Sequence, residues 1–360
     1  MMLLKGIVLL CCKTLSVERT ESATFHILTG KKSVQTVQDI HLYQLTKYYG
    51  VHRKLERTVY DRILKELHEE GFIIRDHTSL TLELTNQGEA WLQEIKEQLP
   101  LHYFNGLKFK SSAVLFLERL ILLVQTFSNV GMNHFSFIPV LDNPLVENWV
   151  KEQYRLNKER ISIYLNDLHS ELLPLLQSIK GKEASIFVDR LSGHQYYGMS
   201  WEQLAKNYDM TIEDVQILLT GISHKMVHQI LENKASFPLL YQVIEEGNNK
   251  RLMTESAYKT YQLLEKDYSI ENIALVRNLR INTIQDHLVE IALYQMDFPI
   301  ERYVPSDIQK DILAAIEKAS SNKLKEIKGL TELDTTYFQI RLFMAGIDYV
   351  EQTGDINVYN

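Results

Sequence analysis

Residues 253–305, MTESAYKTYQLLEKDYSIENIALVRNLRINTIQDHLVEIALYQMDFPIERYVP, read as three short helices joined by two tight turns. Thr254 caps the first helix, which carries Thr260, Leu263 and Leu264. The chain turns at Asp267-Tyr268 and a second helix runs from Ile270 to Val276. After Leu279-Arg280-Ile281-Asn282, the spacing starts a third helix at Thr283 or the preceding Asn282. Ala274 is small where a crossing helix must come close, and Ile273, Ile284, Leu288 and Ile291 supply the apolar centre. Three capped helices around one small core predict a helix-turn-helix unit.

A second signal of the same kind lies upstream, in residues 191–231, LSGHQYYGMSWEQLAKNYDMTIEDVQILLTGISHKMVHQIL. Ser200 with Gln203 and Thr211 with Asp214 have capping-box spacing, and Asp209-Met210 turns the chain between two helices. This stretch resembles the DNA-reading region of a sigma factor, although two capped helices with a short link also suit a protein-binding bundle.

Nearer the N-terminus the pattern changes. His41–Tyr48 reads as a short helix, and Glu56–Glu69 as a second with Val59, Ile63, Leu64 and Leu67 on one face, ended by Gly71. Phe72–Arg75 and Leu80–Leu84 then alternate as strands around a polar turn. Helix, helix, hairpin and helix outline a winged helix. Residues 64–92, LKELHEEGFIIRDHTSLTLELTNQGEAWL, resemble the last helix and wing of the winged domain that follows the core of RecQ-type helicases. Between these units, residues 106–184 are strongly helical and carry no chemical spacing. The fold class expected is therefore mainly α, with tandem helix-turn-helix units around a central helical bundle and a small β wing. The divisions expected are a winged unit over 1–98, a bundle over 99–185, a helical unit over 186–248 and the C-terminal helix-turn-helix domain over 249–348.

Composition bounds the function. Acidic residues number 46 against 39 Lys plus Arg, a net charge of -7, so the chain lacks the broad positive field of a protein that coats nucleic acid, and any such contact is local. Hydrophobic residues at 45% and charged residues at 24% exclude a disordered or fibrous chain. The only cysteines, Cys11 and Cys12, are adjacent, which excludes a disulfide framework and fits a reducing compartment. The apolar start and the stretch Ala113–Val130 are each interrupted by charged or polar residues, and read as buried elements rather than a signal peptide or membrane span. A cytoplasmic protein, with nucleoid association possible, is expected. There is no phosphate-binding glycine loop, no H-E-x-x-H and no G-x-S-x-G, and the scattered histidines have no metal spacing. No enzyme, metal or cofactor is expected.

The C-terminal stretch also resembles the helix-turn-helix domain that closes many RecQ-family helicases. That family pattern falls here on Thr260, Leu263 and Leu264, on Ser269, Ile273 and Ala274, on Arg277 and Leu279, and on Thr283, Ile284, His287 and Leu288. Residues 322–347, NKLKEIKGLTELDTTYFQIRLFMAGI, look like its closing helical unit. As a whole the chain resembles the YpbB family of Bacillus and its relatives, encoded beside a short RecQ-like helicase. In a RecQ helicase an ATPase precedes this domain, and none precedes it here. The resemblance thus implies a non-enzymatic accessory that binds a RecQ-like DNA helicase and helps position duplex or junction DNA, with no membrane partner. A transcription regulator and a protein-binding scaffold remain the alternatives.

The first turns of a reading helix meet phosphates and base edges, which makes Arg277, Arg280, Asn282, Thr283, Gln285 and His287 the C-terminal candidates for DNA contact. His287, beside Leu288, also reads as a packed helix residue, and Asp286 and Glu290 would repel a backbone. In the N-terminal unit the candidates are His52, Arg53, Lys54, Arg57, Arg62 and Lys65, the first three forming its densest basic cluster, with Arg75 and His77 on the wing. Acidic Glu56, Asp61 and Glu66 alongside leave a solvated charged face as the other reading. Lys318, Lys323, Lys325 and Lys328 form a third basic run.

Overall fold

The computed structural model describes residues 3–76, 78–244, 253–295 and 298–353. His77 and the division expected at 248/249 lie outside them. The protein is mainly α-helical, with one two-stranded antiparallel hairpin among the described residues. The N-terminal part runs α1 (Leu3–Leu15), α2 (Glu21–Thr29), α3 (Val34–Leu42), α4 (Arg57–Glu69), β1 (Ile73–Asp76), β2 (Thr81–Leu84) and α5 (Asn86–Lys96). The helices α6 (Gly106–Phe109), α7 (Ser112–Gly131), α8 (Pro144–Asn157), α9 (Ile161–Gln177) and α10 (Gly181–Asp189) follow, then α11 (Trp201–Tyr208), α12 (Ile212–Glu232) and α13 (Pro238–Ile244). The C-terminal part holds α14 (Glu255–Leu264), α15 (Ile270–Arg277), α16 (Ile281–Ala292), α17 (Ser306–Lys318), α18 (Leu324–Leu330) and α19 (Tyr337–Thr353).

Local chemistry sets most of these boundaries. Ser200 and Gln203 form a full capping box at α11, and the Thr211, Thr254 and Ser269 hydroxyls accept from backbone amides at the starts of α12, α14 and α15. Two expectations shift. The helix read over His41–Tyr48 lies earlier, because Ser33 caps α3 at Thr36 N and left-handed Gln44 ends it, leaving a single 3-10 turn at Thr46–Tyr48. The third helix of the C-terminal unit begins at Ile281, two residues before Thr283, with Arg280 as an N-cap that makes no side-chain bond. The wing pairs Ile73 with Leu84 and Asp76 with Thr81, and an isolated bridge from Thr20 to Thr81 completes its edge.

One continuous hydrophobic core runs from Leu3 to Ile244 and draws on the winged unit, the bundle and α11–α12 alike. The expected divisions at 98/99 and 185/186 are therefore not boundaries between cores. α1 shows how: its Leu4 amide donates to Asp214 Oδ1 at 2.8 Å, so α12 caps the first helix of the chain. Helix α7 is, among the described residues, the one long and apolar enough to cross a membrane, and it lies against α8, α9, α12 and α13. Cys11 and Cys12 are free and buried, and burial raises both thiols.

The C-terminal part has its own smaller cores. Ile273, Ala274, Ile284 and Leu288 fill the centre of α14–α16, while Val289, Ala292 and Leu293 pack with Ile340, Phe343 and Met344 of α19. Into that second core α3 inserts Val37. The winged unit thereby completes the C-terminal unit.

Candidate nucleic-acid interface

In α14–α16 the three helices are tied by polar groups as well as by the apolar centre. Glu290, buried on α16, accepts from the Thr254 amide and, at 3.0 Å, from its hydroxyl, and so holds the start of α14. Arg277 ends α15 and turns back: Nη1 donates to Ser256 O at 2.7 Å and to the Thr260 hydroxyl, and Nη2 to Ser256 Oγ at 3.0 Å. Thr260 in turn lies 2.8 Å from His287 Nδ1. Because a guanidinium only donates, Thr260 Oγ1 accepts from Arg277 and passes its own proton toward the imidazole. Burial, with the Arg277 charge second, lowers the His287 pKa to about 4, so the ring is neutral. Two sequence candidates, Arg277 and His287, are thus committed inside the unit, and neither is free to reach a phosphate.

The flanks of α16 are covered. α14 and α15 pack on one side, α19 and α3 on the other. Asp286 receives Arg341 Nη1 at 2.7 Å, and the same guanidinium donates through Nε to Gln38 of α3 at 3.0 Å. What remains open is the first turn. Arg280 and Asn282 are exposed, and Thr283 and Gln285 are half-buried beside them. The Thr283 and Ile284 amides bond back to Arg280 O, so a phosphate at this end would be met by the amides before them, while Arg280 or Asn282 reaches a neighbouring oxygen or base edge. Apolar Leu275 (79% exposed), Val276 (62%) and Ile281 (45%) flank it.

The N-terminal candidates separate. His52 is buried, its amide bonded to Leu28 O, and burial lowers its pKa to about 4. Arg57 donates through Nη2 to Glu21 and through Nε to Asp61, each at 2.9 Å, and Arg75 grips the same buried Glu21 at 2.7 and 2.8 Å. On the outer side of α4, Arg62 pairs with Glu66 and Glu213 and Lys65 with Glu69. The face that would enter a groove is therefore neutralised. Arg53 and Lys54 also stay exposed, outside the ion pairs that hold Arg62 and Lys65. The fold sets beside Arg53 two cations that no motif singled out, Lys32 and Lys110. Lys318 ends α17, Lys323 is the N-cap of α18, and Lys325 and Lys328 lie on α18; Lys318 pairs with Glu332 and Lys328 covers the Tyr337 ring.

Among the described residues no group of three or more His, Cys, Asp or Glu could hold a metal ion. A cleft of about 480 Å³ is lined by residues of α3 and of the C-terminal unit, but its charges are spent in the pairs Arg19 with Asp39 and Arg341 with Asp286.

A family model described as a helix-turn-helix domain matches residues 256–344, which contain α14 to α18 and the first half of α19. Protein YpbB of Bacillus subtilis (strain 168) is 32% identical over 339 residues, covering 94% of this chain and 96% of the relative. No solved structure matches. With identity sustained across both chains, and a helix-turn-helix domain where α14–α16 show that geometry, the chain belongs to the YpbB family.

Proposed function

We propose that this protein is a non-catalytic accessory of DNA metabolism that docks on a RecQ-like helicase and helps hold duplex or junction DNA through the first turn of α16. The observation that carries the reading is the uncovered end of α16, where Arg280 and Asn282 stand exposed with Thr283 and Gln285 behind them. Because the flanks of α16 are packed, the contact is to phosphates and one or two base edges rather than a helix laid along a groove. That speaks for positioning DNA and against reading an operator. The family likeness and the acidic remainder, which would be repelled by DNA, support a protein partner for the rest of the surface. Joining two weak contacts in one assembly raises effective concentration and adds no chemistry.

The test is fluorescence anisotropy with duplex and forked DNA, with and without the RecQ-like helicase. Affinity of the pair above that of the helicase alone is expected, falling about tenfold in Arg280→Ala/Asn282→Ala, as loss of one or two phosphate or base contacts costs. An equal affinity with and without the protein would sink the reading.

A second reading has an observation of its own. Leu275, Val276 and Ile281 form an exposed apolar edge beside Arg280, the composition of a protein contact. On that reading the unit is a scaffold, and Leu275→Asp abolishes co-purification with the helicase while no DNA affinity is found.

A further inference from the structure

We propose that the crossing of residues 30–33, 50–54 and 108–110 forms a second, separate anion surface that takes the phosphate backbone of nucleic acid. It deepens the DNA-associated reading above but does not use the helix-turn-helix unit.

The surface is built by a close backbone approach. Gly30 and Gly50 both have φ near +70°, and a Cβ on Gly30 would lie 2.9 Å from the Gly50 Cα. The Gly50 amide bonds to Ile27 O, the Tyr49 hydroxyl bonds to Lys31 O at 3.0 Å, and a Cβ on Gly50 would sit 3.3 Å from that of Lys110. Two turns and the segment leading into α7 therefore meet at one place. They bring Lys32 and Arg53 within reach of Lys110, and the same segments carry Lys31, Lys54 and Lys108.

Among the described residues none of these six is in an ion pair with a carboxylate, unlike Arg57, Arg62, Lys65 and Arg75 nearby. The sequence explains why. In a chain with more acidic than basic residues, the segments 30–38, 40–55 and 98–117 contain no Asp or Glu at all. Lys110 rests on the Tyr49 ring, its ammonium 4.0 Å from the centroid, and the charges of Lys32 and Arg53 reach it. The carboxylate that Lys110 and Lys32 feel is Glu290, whose two oxygens are occupied by Thr254. Holding these like charges together with one carboxylate near them and no ion pair costs stability, and an arriving polyanion relieves that cost.

The nature of the surface selects the partner. Protein interfaces centre on exposed apolar or aromatic anchors, and none of the exposed large hydrophobics falls in residues 30–55 or 101–110, where Tyr48, Tyr49 and Phe109 are buried beneath the cations. Flexible point charges without apolar anchors suit a phosphate backbone read without regard to sequence.

The experiment uses the full chain and a labelled duplex of mixed sequence over a range of salt. Lys32→Ala/Arg53→Ala/Lys54→Ala changes only exposed side chains, and its circular dichroism melt checks the fold. Affinity is expected to fall tenfold or more at about 0.1 M salt, and the log–log salt slope to shrink by about 2, as loss of two or three phosphate contacts requires. Loss in this variant with none in Arg280→Ala/Asn282→Ala supports the surface while removing the reading built on α16. Wild-type affinity and slope in the triple variant, with weakening in Arg280→Ala/Asn282→Ala, overturns the surface and leaves that reading standing. Displacement of the duplex by polyglutamate as readily as by unlabelled DNA overturns it in favour of an acidic protein.

Discussion

Nδ1 of His287 lies 2.8 Å from the Thr260 hydroxyl, and Thr260 takes its other hydrogen bond from Arg277. One buried hydroxyl thus links all three helices of the C-terminal unit, with α14 supplying Thr260, α15 Arg277 and α16 His287. Replacing Thr260 with Val removes the bridge without changing shape and takes this partner from the buried imidazole nitrogen, while Arg277 keeps its bonds to Ser256. A loss of about 1–3 kcal/mol is expected, seen as earlier thermal unfolding of residues 253–345, with DNA affinity at a permissive temperature unchanged. Weakened DNA binding at full stability would instead make Arg277 or His287 a contact.

How far this was legible in the sequence follows from distance along the chain. Ser200 and Gln203, or Thr254 and Ala257, meet within one turn, and their caps could be read directly. Arg280 caps α16 through its backbone alone, so no side-chain signal marks that start, and Asn282 or Thr283 places it one or two residues late. The fate of the candidate cations was set by partners far off in sequence: Arg57 by Glu21, Arg277 by Ser256 and Thr260, and Arg341, which no pattern marked, by Asp286 and Gln38. Basic spacing cannot tell a spent guanidinium from a free one. The same limit hid Lys110, which only the Gly30–Gly50 crossing brings near Arg53.

Val37 belongs by sequence to α3 and by packing to the C-terminal core. Val37→Asp places a carboxylate against Val289, Ala292 and Phe343, where burial of an unpaired charge is costly. The expected result is local. Hydrogen exchange rises in α16 and α19 as the C-terminal unit lifts from α3, while the core from Leu3 to Ile244 keeps its protection. A uniform loss of protection through both parts would show that they unfold as one.

Gly30 tests the crossing that builds the basic surface. An alanine there needs a left-handed φ of +70° and sets its Cβ 2.9 Å from the Gly50 backbone. Both effects oppose the native turn, and Gly30→Ala is expected to cost about 1–3 kcal/mol, read as a lower midpoint in urea. Gly181 has nothing within 4 Å of an added Cβ, so Gly181→Ala, at the start of α10, is the matched control and leaves the midpoint in place or raises it.

Four buried histidines set the acid limit of the fold. Burial lowers His41, His52 and His287 to about 4 and His224 to about 3, and the Nε2 atoms of His41, His52 and His224 are buried without a hydrogen-bond partner. In the unfolded chain each titrates near its ordinary value of about 6.5. Below that pH the unfolded state takes up protons that the folded state refuses, so stability is complete above about 6.5 and declines as pH falls toward 4. At pH 5 the loss is on the order of 1–2 kcal/mol for each histidine. Asp214 works in the opposite sense: burial raises it to about 6, so its folded form keeps a proton that the unfolded chain releases, and its contribution falls as pH rises through that value. Burial raises Asp39 and Glu290 in the same sense as Asp214, so three carboxyls stand against four imidazoles, and the net direction stays with the histidines. The melting temperature is therefore expected to drop between pH 7 and pH 5, and His224→Gln, which cannot take the proton, to flatten that drop. A melting temperature constant or rising over the same range would mean that these rings are solvated and free to titrate in the folded protein.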